Sequence, residues 1–211
     1  QRQGGEGYAY RLRLGPPRPD CSVRLTPSTL NLRPGVAFPI DVHVLRRDGF
    51  DGGIVLTVQD APAGLELQGG AVPAGVDHLR MTLTVREAIP QPVAIRPEAE
   101  GRPVVPCDDS MQAFLWRHLV PARELVAVTV GGASRARPPR VAGPARIPVG
   151  GTADILVTFD PRAKTADAGL ELSDAPAGIT LVRQTPVRDG VQLTFKADGA
   201  AAGAAGNLIV G

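Results

Sequence analysis

The amino-acid sequence predicts an all-β protein made of two tandem β-sandwiches with one short helix. Short segments in which apolar and polar residues alternate run through the chain, and 25 glycines and 21 prolines separate them as turns. The string DAPAG occurs twice, at 60–64 and 174–178, each time between apolar segments. A length of 211 residues suits two domains of roughly 100 residues each. Aromatic residues make up only 4%, so both cores must be aliphatic.

The first nineteen residues are interpreted as the end of another domain and a linker. Residues 8–14 alternate like a strand and run into the proline cluster at 15–19. A lone strand cannot bury its apolar face, so this strand is expected to complete a domain upstream. The chain is accordingly expected to be part of a larger protein.

Residues 20–131 are predicted to form the first sandwich. Strands are expected at 22–26 and 29–32, with Pro27 between them, and residues 38–44 alternate with a period of two. Further strands are predicted at 54–58, 65–67, 78–85, 93–95, 104–105 and 125–130. The segments 93–95 and 104–105 lie between prolines, which favours edge strands because an edge tolerates a missing N–H.

One segment of the first sandwich differs from the rest and predicts a helix at 110–119. It contains neither glycine nor proline. The residues spaced for one helical face are Met111, Phe114, Leu115 and His118. Asp109 or Ser110 supplies an N-cap, and Pro121 supplies a stop. The helix is expected to pack against an edge of the sandwich.

Residues 132–146 are interpreted as a linker, and 147–211 as the second sandwich, ending just after a last predicted strand. Aligning 56–67 with 170–181 gives seven identities in twelve positions, and the order of the flanking strands is the same. In each DAPAG, proline presets φ at the second turn position and glycine accepts a positive φ. We therefore interpret DAPAG as a structural turn and not as a catalytic loop.

Charge and hydropathy exclude two classes of partner. The net charge is only +2, and just two of the 23 basic residues are lysines. The arginines are scattered and aromatic residues are few, which is unlike a nucleic-acid-binding surface. No apolar stretch approaches the roughly 20 residues that a transmembrane helix requires, so membrane insertion is not expected.

No catalytic motif is present, and the sequence predicts a protein that is not an enzyme. It lacks G-x-S-x-G, H-E-x-x-H and a phosphate-binding glycine loop. Cys21 and Cys107 are its only cysteines, too few for a structural zinc site. They form either one disulfide that closes the first sandwich or two buried thiols.

Three candidate binding sites remain, each with an ordinary structural alternative. His43 and His78 lie on the polar sides of two predicted strands, and with Asp41 they could hold a transition metal; alternatively they are solvated surface residues. The loops 48–53 and 108–109 carry paired carboxylates, which suit either a Ca²⁺ cofactor or ordinary turns.

The third candidate is Trp116, the only tryptophan. On the predicted helix it either anchors the helix to the sandwich or stacks against a sugar.

The segments 62–67 and 176–181 resemble the strand–PxG–strand signature of immunoglobulin-like repeats in large secreted bacterial proteins. The resemblance extends over 8–85 and 111–124, and in such proteins an Ig-like module follows a pre-peptidase C-terminal-type domain. It implies two Ig-like sandwiches in an extracytoplasmic protein, whether secreted, periplasmic or on the cell surface. The expected function is a non-catalytic structural or adhesive module, and the alternative is a carbohydrate- or cell-wall-binding module. The implied partners are other domains of the parent chain, a polysaccharide or another surface protein.

Overall fold

The structure, a computed structural model, describes residues 15–112, 116–131, 139–141, 143–160, 172–173 and 175–210. Its described residues are all β, with no helix among them, which confirms the predicted all-β class. The strand predicted at 8–14 lies outside the described residues. The strands of residues 20–131, here called the first sandwich, are β1 (Asp20–Thr26), β2 (Thr29–Leu32), β3 (Ala37–Arg47), β4 (Ile54–Gln59), β5 (Leu65–Gln68), β6 (Ala71–Val72), β7 (His78–Val85), β8 (Val93–Ala99), β9 (Arg102–Pro103), β10 (Val105–Gln112), β11 (Trp116–Pro121) and β12 (Leu125–Thr129). Those of residues 140–210, here called the second unit, are β13 (Arg140–Val141), β14 (Thr152–Thr158), β15 (Leu172–Ser173), β16 (Ile179–Val187), β17 (Gly190–Ala197) and β18 (Ile209–Val210).

Two sheets enclose the core of the first sandwich. One has the strand order β11-β10-β1-β3-β7-β5, and the other has the order β2-β12-β8-β4-β6 with β9 paired to β8. Buried aliphatic side chains from both sheets form one continuous cluster, as in a β-sandwich. The period-two prediction is confirmed, because the apolar positions of β3 and β7 supply this cluster. They are Ile40, Val42, Val44, Leu79, Met81, Leu83 and Val85.

The first strand is divided between the two sheets. β1 pairs with β3 in the first sheet, and after the interruption at Pro27 the chain continues as β2 in the second. There β2 lies parallel to β12, while β1 lies parallel to β10. The predicted interruption at Pro27 is confirmed. The chain crosses from the first sheet to the second at this residue.

The helix predicted at 110–119 is wrong wherever the structure describes this segment. Residues 105–112 and 116–121 are strands that pair antiparallel, and 113–115 lie outside the described residues. β10 extends the sheet beside β1, so pairing with neighbouring strands outweighs the local helical spacing. Met111, expected on the buried helical face, is 58% exposed.

The edge position predicted for 93–95 is also wrong. β8 lies inside its sheet, between β12 and β4. β12 pairs with 93–95, and β9 pairs with residues 98 and 99. Pro97 falls between these two partners, so its missing N–H costs no ladder hydrogen bond on that side.

The second unit has a four-stranded sheet, β13-β14-β17-β16, and the two-stranded pair β15-β18. Val157, Leu193 and Phe195 are buried at its centre. β13 lies inside the segment interpreted as a linker and pairs with β14.

The two DAPAG segments have the same turn geometry. The N–H of Leu65 donates to the carbonyl of Pro62, and the N–H of Ile179 donates to that of Pro176, both at 3.0 Å. The glycine in each turn has a φ near +80°. At Gly178 an added Cβ would also lie 2.5 Å from the backbone nitrogen of Ala200. These observations confirm a turn with glycine at positive φ in both segments, but the predicted position of proline is wrong: Pro62 and Pro176 are the first residue of each turn, not the second. Asp174 lies outside the described residues.

Candidate functional site

A polar cluster lies on the outward face of the first sheet, where β3 and β7 pair. Because the strands alternate, the positions between their buried aliphatic residues point away from the core. The register sets His43 opposite His78 and Asp41 opposite Arg80. The structure therefore brings together all three residues predicted as metal ligands.

The contacts within this cluster converge on one carboxylate. The two imidazole rings lie with centroids 4.7 Å apart and planes tilted by 34°. Asp41 Oδ1 lies 3.2 Å from His78 Nε2, and it accepts a hydrogen bond of 3.1 Å from Arg80 Nε. Asp41 thus joins the histidine pair to an arginine.

The surroundings of His43 disfavour its charged form. Burial lowers the pKa of His43, and the neighbouring His78 acts in the same direction. Asp41 and Asp109 oppose this shift, while Arg24, opposite His43 on β1, adds to it. Burial and His78 together therefore favour the neutral form of the His43 imidazole.

The cluster does not form a preformed three-ligand metal site. Within the described ranges, no group of three or more His, Cys, Asp or Glu side chains is arranged to hold a metal ion. The Oδ1 atom of Asp41 already contacts Arg80 and His78. Any ion here would have the two imidazoles as its protein ligands.

One backbone carbonyl of the loop 48–53, predicted as a calcium candidate, accepts from an arginine. Arg46 donates from Nη1 to the carbonyl of Gly52 at 2.7 Å, and from Nη2 to the carbonyls of Pro73 and Val76. Its Nε lies 3.0 Å from Asp77 Oδ1. The guanidinium thereby links two loops at one end of the sandwich.

The carboxylates at 108 and 109 also have protein partners. Asp108 Oδ1 accepts from the hydroxyl of Ser28 at 2.6 Å and from its backbone N–H at 3.2 Å. Asp109 pairs with Arg117 across the β10–β11 hairpin at 3.4 Å. These contacts account for both carboxylates as parts of the fold.

The structure does not bring the two cysteines together, and both are free thiols. Leu25 on β1 is level with Pro106 on β10, so Cys107 is level with Thr26. Cys21 lies five residues back along β1, about 16 Å away at 3.3 Å per residue. A disulfide needs Cα atoms within about 7 Å. Of the two predicted alternatives, a disulfide or two thiols, this fold therefore has two thiols.

Trp116 lies on β11, the outermost strand of the first sheet, opposite Gln112. Its side chain is outside the described part of the structure. Arg117 and His118, which follow it, are exposed.

Sequence reasoning missed a polar junction between the first sandwich and the second unit. Arg80 donates from Nη1 to the hydroxyl of Ser173 at 2.8 Å. Asn207 donates from Nδ2 to the carbonyls of Arg80 and Gly69, at 2.8 and 3.0 Å. Gly69 has a φ of +72°, and an added Cβ would lie 2.6 Å from that same Nδ2 atom. The only signal in the sequence was the rarity of asparagine, which occurs at two positions.

A scan against protein-family models and a search of curated proteins both find no match to this chain. Across the described ranges, no helical segment has the length and hydropathy that a membrane span requires.

Proposed function

We propose that this chain is a non-catalytic structural module of a larger exported bacterial protein. In this proposal, two immunoglobulin-like units stand in tandem and hold neighbouring domains or surfaces at a fixed spacing. Three features support it: the strand arrangement of the first sandwich, the matching geometry of the second unit, and the polar junction between them.

The strand arrangement of the first sandwich supports the Ig-like assignment. In Ig domains one sheet carries the first, second, fourth and fifth strands, and the other carries the third, sixth and seventh. Here β1, β3, β5 and β7 share a sheet, while β4, β8 and β12 share the other. The hairpin β10–β11 is then an insertion before the last strand.

Matching registers support two copies of one unit. β3 pairs with β7 through Ile40↔Met81, and β14 pairs with β17 through Ile155↔Leu193. β5 and β16, which follow the two DAPAG turns, pair with β7 and β17 respectively. The turn before each of β3 and β14 is also the same, closed by Val36 N–H to Arg33 O and by Gly151 N–H to Pro148 O.

The junction is the observation that carries the spacing role. Three hydrogen bonds from Arg80 and Asn207 join the second unit to β7 and to the Gly69 turn. Two of them end on backbone carbonyls, one in β7 and one in the turn between β5 and β6. Each hydrogen bond contributes about 0.5–1.5 kcal/mol of net stability. The three together favour one relative orientation of the units, which a flexible linker alone would not.

Backbone ¹⁵N relaxation on the whole chain tests this proposal. We expect one rotational correlation time for both units in the wild type. In Asn207→Ala the second unit should tumble faster than the first, because two of the three hydrogen bonds are lost. Asn31→Ala, at the only other asparagine and on the exposed face of β2, is the matched control. Independent tumbling of the two units in the wild type would refute a rigid spacer.

A polysaccharide-binding assay tests the alternative, that the chain is a carbohydrate- or cell-wall-binding module. Trp116 lies on an edge strand beside exposed polar residues, a position that a polysaccharide chain can reach. A panel of soluble and insoluble polysaccharides, with and without Ca²⁺, is incubated with the wild type and with Trp116→Ala. Saturable binding that the variant loses would favour the alternative, whereas absence of binding by folded protein leaves the spacer proposal in place.

A further inference from the structure

We propose that His43 and His78 form a two-histidine site for a divalent transition-metal ion of the Zn²⁺ or Ni²⁺ type, with Asp41 as a positioning residue. The site lies on the outward face of the first sheet. It is independent of the spacing role, which needs no metal.

The spacing of the two rings suits one shared ion. A metal–imidazole bond is about 2.0–2.1 Å long, so two nitrogens on one ion lie no more than about 4 Å apart. The ring centroids are 4.7 Å apart and the planes are tilted rather than parallel. Side-chain rotations alone, with no change in strand register, therefore bring one nitrogen of each ring to a common ion.

Asp41 orients one of the two ligands. Its Oδ1 lies 3.2 Å from His78 Nε2, so it favours the tautomer that carries the proton on Nε2. That tautomer leaves the lone pair of Nδ1 for the ion. A carboxylate that holds the second nitrogen of a metal-binding histidine is a common arrangement, and it raises the basicity of the ligand.

The composition of the cluster selects the class of ion. Imidazole nitrogens suit Zn²⁺, Ni²⁺ and Cu²⁺, whereas Ca²⁺ and Mg²⁺ require oxygen ligands. Arg80 Nε contacts the same Asp41 oxygen as His78, so this Oδ1 atom is engaged in positioning and not in coordination. Arg24 and Arg80 bring positive charge near the histidines, and Asp41 and Asp109 offset it. Water would complete the coordination sphere, so the site binds reversibly.

Titration of untagged full-length protein with Zn²⁺, followed by calorimetry, tests the site. The chain has only three histidines, so His118→Gln on β11 is a matched control. We expect one ion per chain, at least a tenfold loss of affinity in His43→Gln and in His78→Gln, and a change of less than twofold in His118→Gln. Cys21→Ser should also bind normally, which excludes a thiolate as the ligand.

The role of Asp41 is tested separately. Asp41→Asn should lower the affinity by 10–100-fold, the usual effect of removing the partner of a ligand histidine. Arg80→Gln, which removes the other contact of Asp41, should not lower it. An equal loss in both variants would assign the effect to the shared network and overturn the positioning role.

Paramagnetic Ni²⁺ identifies the ligands in the wild-type protein by NMR, without a comparison of affinities between variants. The imidazole NMR signals of His43 and His78 should broaden together at substoichiometric Ni²⁺, while those of His118 stay sharp. Circular dichroism verifies that each variant is folded. Broadening of His118 first, or Zn²⁺ affinity that survives in both His43→Gln and His78→Gln, would overturn the proposal.

Discussion

Replacement of Arg46 by methionine should lower the free energy of unfolding of the first sandwich by more than the loss of a typical loop contact does. Arg46 lies near the end of β3 on its core-facing side, and its side chain is only 12% exposed. Its guanidinium donates to the carbonyls of Gly52, Pro73 and Val76, pairs with Asp77, and lies 5.4 Å from the centre of the Phe50 ring. Methionine keeps the apolar stem and removes all of these polar contacts.

The expected size of the effect follows from which contacts are shielded from water. The bonds to Pro73 and Val76 are partly buried, while those to Gly52 and Asp77 are exposed. Hydrogen bonds to charged groups contribute about 1.5–3 kcal/mol each. Assigning about 1.5 kcal/mol to each partly buried bond, and nothing to the exposed ones, gives a loss of about 3 kcal/mol.

Urea unfolding measures this loss, and Trp116 fluorescence reports on the first sandwich because it is the only tryptophan. With a slope of about 1–3 kcal/mol per molar urea, the midpoint should fall by about 1–3 M. Arg47→Met is the matched control, since Arg47 is the exposed neighbour and should change stability by less than about 0.5 kcal/mol. If Arg46→Met costs less than about 1 kcal/mol, the guanidinium does not hold the two loops together.

Three further predictions follow from the junction, the thiols and the half-buried His43. Gly69→Ala places a methyl group 2.6 Å from Asn207 Nδ2, so it should uncouple the two units in ¹⁵N relaxation as Asn207→Ala does; unchanged coupling would contradict this. Cys107 is fully buried and burial raises its pKa, so a thiol reagent should label the half-buried Cys21 first and Cys107 only on unfolding; equal rates would count against it. Burial lowers the folded-state pKa of His43 below the usual histidine value of 6.5. Its contribution to stability is therefore complete above pH 6.5 and is lost as the pH falls toward the folded-state pKa. In EDTA, His43→Gln should therefore flatten the change in urea midpoint between pH 7 and pH 5.5, and an unchanged slope would refute this.

Features fixed by local pattern were predictable from the sequence. Period-two alternation identified the buried faces of β3 and β7, because burial of one face requires it. The glycine of each DAPAG identified a turn, because its tolerance of a positive φ acts locally. The proximity of His43 and His78 was predictable too, once both were assigned to polar faces of paired strands.

Features decided by strand pairing and side-chain contacts were not predictable from spacing or composition. Residues 110–112 and 116–119 have a helical spacing of apolar groups, yet 110–112 pair with 116–118 as an antiparallel hairpin. Likewise, the Asp- and Gly-rich loop 48–53 has the composition of an ion site, but its Gly52 carbonyl accepts from the Arg46 guanidinium of β3. In both cases the partner lies within a few residues, but neither apolar spacing nor loop composition reports the contact.

The polar junction has a second consequence, which follows from the size of the second core. Among its described residues, the second unit has three aliphatic or aromatic side chains in its fully buried cluster, against more than twenty in the first. A small core leaves little net stability after the entropy of ordering the chain is subtracted. Hydrogen bonds that dock Ser173 and Asn207 onto the larger, better-packed sandwich therefore stabilise the second unit as well as orient it. Loss of the junction should therefore loosen the second unit and leave the first sandwich intact.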